Sequence, residues 1–257
     1  MLDVICLLMA RLCCTRSSLT YKSVNTTLAL SLKKDWTSKD AEYDTIGADD
    51  FPTAIGHALW TNKDTKEVVF WGGLDFGSDR TGSRDPKVWT LAADGEGGGE
   101  WTSKDPPASV KRTAFGAYAE CGGKGFFAGG YGDAATDSDE FQQRIAVPGL
   151  LTYDFKDGSF KNVSTEGLTS SGAFQKGSAV CVEVPNRKPK LFVMGGAQIT
   201  PTDVADNNVD LQSFDNAYFY DLEKEKWFKQ ETQGSRPAAR QGTCAVGAAG
   251  PNGTYEM

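Results

Sequence analysis

The sequence predicts an all-β chain built from repeated four-stranded antiparallel units, and three observations carry that expectation. A short apolar run closed by a glycine doublet recurs, as EVVFWGG at 67–73, KGFFAGG at 124–130 and KLFVMGG at 190–196; a period of several tens of residues marks a repeat architecture. The chain holds 29 Gly beside 14 Phe, 8 Tyr and 6 Trp, the mixture that many short strands and tight turns require. No stretch sustains the apolar periodicity of a helix.

Residues 1–24 are expected to be irregular. VICLLMA at 4–10 is apolar, but Asp3 stands where a signal peptide carries positive charge and Arg11 follows at once, which makes it a degenerate signal segment at most. A partial unit occupies 25–37: TLALSL at 27–32 alternates polar and apolar like a half-buried strand, KKD turns, and Trp36 sits in a second strand. Three full units follow, over 54–103, 113–163 and 177–231. In the second and third, Asp154 and Asp221 stand at the same interval before Phe160 and Trp227, so the strand-three to strand-four hairpins superpose. A last partial unit opens at 242, with GTCAV at 242–246 as strand one and residues 254–257 entering strand two.

The doublets Gly72-Gly73, Gly129-Gly130 and Gly195-Gly196, in phase with Trp36, Trp101, Phe160 and Trp227, resemble the kelch repeat of β-propellers over about 25–257. More narrowly, TLALSLKKDW at 27–36 and RPAARQGTCAVG at 236–247 are similar to fungal kelch repeat-containing proteins, many of them secreted or membrane-anchored. The resemblance implies a kelch-type propeller of about three full blades plus two partial ones. Such proteins ordinarily carry more blades, so the chain is expected to be truncated; a four-bladed ring closed by strands from both termini is the alternative.

A net charge of -7 repels phosphate backbones and argues against nucleic acid as a partner. No run approaches the roughly 18 apolar residues of a membrane span. The six cysteines lack metal-finger spacing, and Cys121, Cys181 and Cys244 fall in the same element of successive units. They are read as small buried strand residues rather than disulfides, which leaves the redox compartment open.

No catalytic, metal or cofactor residue is assigned. His57, the one histidine, fits a packing position in strand one better than a general base, and a copper oxidase on this fold needs two imidazoles. Asp133, Asp137, Asp139 and Glu140 read as a solvated acidic loop rather than a Ca²⁺ site, and DGEGGGE at 94–100 as a hairpin loop rather than a phosphate cradle. The long loops 74–86, 131–148 and 197–215 share one face, where a protein or glycan partner is expected to bind without catalysis. Arg112 and Arg240, at the channel end of that face, are candidates for a partner's carboxylates, with pairing to loop backbone as the alternative. A carbohydrate-active or oxidative enzyme using Asp133 and Asp137 in a funnel is the second functional reading. Sequons at Asn25, Asn162 and Asn252 favour secretion.

Overall fold

Short β-branched and aromatic runs between Gly- and Asp-bearing turns pair with their chain neighbours, and each repeat closes into its own sheet. The computed structural model describes residues 6–8, 11–15, 18–22, 26–30, 35–37, 39–47, 51–75, 86–94, 98–137, 139–170, 172–184, 187–199, 209–251 and 254–257. Among these there are strands and turns and no α-helix. The first blade comprises Ala54–Thr61, Val68–Asp75, Val88–Ala93 and Gly99–Lys104. The second comprises Ala117–Cys121, Lys124–Ala128, Leu150–Asp154 and Phe160–Val163. The third comprises Ser178–Val182, Lys190–Met194, Asn216–Asp221 and Lys226–Glu231. All pairings within them are antiparallel and sequential, and strand one of the second blade lies against strand one of both neighbours. These are blades of a kelch-type propeller, with strand one innermost.

The glycine doublets determine how the blades approach one another. Within each blade, strands one and two break at the doublet and then resume their register: Ile55 pairs with Leu74, Ala114 with Tyr131 and Gln175 with Ala197. Both glycines of every doublet have positive φ. Beyond each break, the N–H of Gly73, Gly130 and Gly196 donates to the carbonyl of Thr113, Phe174 and Arg240 in the following repeat, at 2.9, 2.6 and 2.8 Å. A second relay runs beside it: Phe115 N–H donates to Gly56, Lys176 to Phe115 and Gly242 to Lys176, at 2.8, 2.6 and 2.7 Å, and all four residues have positive φ. A Cβ on Gly72 would stand 2.6 Å from the Thr113 oxygen. Close approach of the next repeat therefore requires glycine there, in addition to the backbone angle.

Aromatic side chains fill the spaces between sheets. Trp101 reaches back from the first blade to Thr27 Oγ1 (3.1 Å), with Phe51 packed among Phe70, Trp89 and Trp101. Phe160 of the second blade meets Trp71 of the first, while Trp60 donates to the Phe126 carbonyl (3.1 Å). Trp227 of the third blade donates to Ser164 of the second (3.0 Å), over a core of Phe126, Leu150, Phe174, Leu191 and Tyr220. Each strand-four aromatic thus anchors its blade to the sheet before it.

Three expectations are corrected. Trp36 is not in a strand and is 42% exposed; the leading sheet pairs Thr26–Leu30 with Tyr43–Gly47, beyond the predicted boundary at 37. Its register sets Tyr43 opposite Leu30, where Trp101, Phe160 and Trp227 stand opposite Leu91, Tyr153 and Tyr220. The strand-three to strand-four connection is longer in this unit than a KKD turn implies. Within the supposedly irregular 1–24, Cys6–Leu8 pairs with Thr26–Leu30, and Arg11–Thr15 forms a hairpin with Ser18–Lys22; these pairings are too short for a periodicity to register. Residues 242–246 are not a strand, because Gly242 and Thr243 are held by Lys176 and Ser178 of the third blade; Ala248–Ala249 pairs instead with Tyr255–Glu256.

The two sources of the glycine requirement are separable. Gly72→Ala is expected to cost about 3 kcal/mol in urea unfolding, from positive φ plus the lost close approach. Gly123 has φ +78 and open space around its Cα, so Gly123→Ala should cost only about 1 kcal/mol. Equal losses would remove the close-approach argument.

Candidate functional site

The described parts of the second and third long loops extend the sheets. Tyr131–Gly132 pairs with Ile145–Ala146, and Phe174–Gln175, Ala197–Gln198 and Asp210–Leu211 form a three-stranded sheet. Beneath them lies an apolar cluster of Leu74, Ala114, Tyr131, Ala146, Ala173 and Ile199, contributed by all three blades. The face is therefore anchored on the scaffold. Residues 76–85 of the first loop, 138 of the second and 200–208 of the third lie outside the described residues.

On the second loop Asp133, Asp137 and Glu140 are engaged by nearby groups, while Asp139 is exposed. Asp133 accepts from Arg144 Nε (3.2 Å) and from the Ala135 amide, and the Arg144 guanidinium covers the Tyr131 ring at 4.4 Å. Glu140 pairs with Lys111 (2.6 Å), and the buried Asp137 accepts from the Glu140 amide. Among the described residues no three or more His, Cys, Asp or Glu converge as a metal set.

Arg112 and Arg240 occupy different positions in the repeat. The inter-blade relay aligns Arg240 with Thr113 and Phe174 as a backbone acceptor, which aligns Arg112 with Ala173. Arg112 is 4% exposed, and its positive charge acts on His57. Arg240 is exposed, with Nε donating to Ala238 O at 2.9 Å. His57 lies in strand one of the first blade, its Nδ1 3.1 Å from the Ala54 carbonyl and its ring 4.7 Å from that of Phe70. Burial, reinforced by the Arg112 charge against the opposing effect of the Ala54 hydrogen bond, pulls its pKa down to about 4. The imidazole is a neutral packing and hydrogen-bonding group.

The opposite face overturns the cysteine reading: Cys121 and Cys181 form a disulfide, with Cα atoms 5.2 Å apart. Strand one of each blade is innermost, so equivalent positions in successive repeats become neighbours around the axis. Cys244 is free and exposed. Nearby, Lys63 pairs with Glu183 (3.5 Å), and Lys190 donates to Asp221 (2.7 Å), which holds that carboxyl below its ordinary pKa. Asn25 and Asn252 lie outside the described residues, whereas Asn162 is exposed on strand four of the second blade. It borders a cleft of about 470 Å³ with Pro148, Ser164, Thr169 and Ser170 on the loop face.

Four-stranded blades joined through glycine doublets define the scaffold as a kelch-type propeller. No family model matches the chain. It is 26% identical over 156 residues to a Kelch repeat-containing protein of Arthroderma benhamiae, in an alignment covering 51% of this chain and 22% of that protein. The chain thus spans less than a quarter of that relative's length.

His57 gives the chain a defined acid sensitivity. Because the folded pKa lies below the unfolded value, there is no penalty above pH 6.5; between pH 6.5 and 4 the unfolded state alone takes up the proton. Stability should fall by about 3 kcal/mol across that window. In urea titrations at stepped pH, His57→Gln should flatten this component; an unchanged slope would assign it elsewhere.

Proposed function

We propose that residues 25–257 act as a non-catalytic scaffold whose long-loop face binds a protein or glycan partner. The observation that carries this reading is the construction of the face: short sheets resting on an apolar cluster drawn from all three blades. The paired segments of this face lose little entropy on binding. Kelch repeats generally mediate protein interactions, and the similarity to a Kelch repeat-containing protein supports that role. Of the two arginines only Arg240 is exposed, which supports it as the contact for a partner's carboxylate, and the 37% exposure of Leu211 on the third-blade loop sheet supports an apolar contact there. The enzyme alternative would draw on Asp133 and Asp137. One is engaged by Arg144 and the other is buried within its turn, which favours binding over acid–base work.

The test is capture of a partner from extracts of the native source, followed by quantitative binding to variants. Arg240→Glu and Leu211→Asp should each weaken binding by about tenfold or more, as truncation of a contact residue does. Lys63→Ala, on the opposite face, should leave it unchanged. Binding abolished by Lys63→Ala alone, or turnover of oligosaccharides by the purified chain, would overturn the reading.

A further inference from the structure

We infer that Asn162 carries an N-linked glycan, attached in the oxidising compartment where Cys121 and Cys181 are joined. Two independent sets of residues point there. The disulfide links strand one of the second blade to strand one of the third across 60 residues of chain, and Cys121 is 2% exposed. Structural disulfides form and persist in oxidising compartments. Separately, Asn162-Val163-Ser164 is an acceptor sequon. Asn162 is exposed on the outermost strand, Phe160–Val163, so the folded blade has room for the attached sugar.

The chemistry needs two co-reactants. The Asn162 Nδ2 loses a proton and bonds to the anomeric carbon of a lipid-linked oligosaccharide, and the lipid pyrophosphate leaves. The two thiols lose two protons and two electrons to a disulfide donor, which is reduced to a dithiol. Asn162 lies on a sheet edge, where unpaired N–H and C=O groups invite pairing with another chain, and a bulky polar glycan there blocks such association. The glycan also covers the cleft formed with Pro148, Ser164, Thr169 and Ser170. This inference does not rest on the binding role of the loop face.

The test is peptide mapping of protein from its native source, with thiols alkylated before any reduction. The Asn162 peptide should appear only after enzymatic glycan release in heavy-oxygen water, as labelled Asp, and the Cys121 and Cys181 peptides should migrate cross-linked. In chain expressed through a eukaryotic secretory route with the Asn25 and Asn252 sequons removed (Asn25→Gln, Asn252→Gln), Ser164→Thr should keep the glycan-dependent gel shift, while Ser164→Ala and Asn162→Gln abolish it. The hydroxyl swap separates sequon chemistry from any folding defect of the Asn162 variant. An unmodified Asn162 peptide in the native protein would overturn the glycan assignment, and alkylated Cys121 and Cys181 would overturn the compartment argument.

Discussion

Passage of a backbone hydrogen bond from each glycine doublet to the next repeat is the constraint on which the arrangement of blades depends. A strand that stayed regular through positions 72–73, 129–130 or 195–196 would keep its amides for its own sheet. Positive φ at both glycines releases one donor, and the missing Cβ admits the neighbouring carbonyl. Each such bond contributes only about 1 kcal/mol net, but an orphaned carbonyl in its place costs about 1–3 kcal/mol. The parallel relay through Gly56, Phe115, Lys176 and Gly242 adds a second backbone link at each junction. Stability in such an array is a sum of blade and nearest-neighbour terms, so these junctions set whether it behaves as one body.

Side chains complete what the backbone begins. Trp101, Phe160 and Trp227 sit on the outermost strands yet reach the preceding sheet; Phe160 and Trp227 close the two junctions among the three blades at the periphery while the relays close them near the axis, and Trp101 ties the first blade to the leading sheet. Cys121–Cys181 adds a covalent link between two inner strands. The same junctions bring Leu74, Ala114, Ala173 and Ile199 under the long loops. The described parts of the long-loop face therefore rest on docked blades.

The blade pattern is legible in the sequence because glycine doublets, alternating strands and Asp-bearing turns are local signals. Features set by neighbours in space are not. Trp36 has the right residue type for strand four, but the pairing of Leu30 with Tyr43 depends on the length of a connection that no residue pattern encodes. In the sequence Arg112 and Arg240 are paired as candidates at the channel end of one face, whereas the backbone bonds align Arg240 with Thr113 and leave Arg112 beside His57. Cys121 and Cys181 are one repeat apart, a spacing that suggests equivalence; contact follows only once strand one is known to be innermost. That recurrence at one strand position was the available signal. The loop face was recognisable by loop length, but its small sheets are two residues per strand, too short for any periodicity to reveal.

The most direct measurement is residue-resolved amide hydrogen exchange under native conditions, read at Gly73, Gly130, Gly196, Phe115, Lys176 and Gly242. If the relays hold the blades together, these amides should be protected to the same level as the central strands Lys124–Ala128 and Lys190–Met194, opening only when the array itself unfolds. Exchange at the rate of the exposed turns, with the central strands still protected, would mean that each blade is stable alone and that the relays are incidental to the fold.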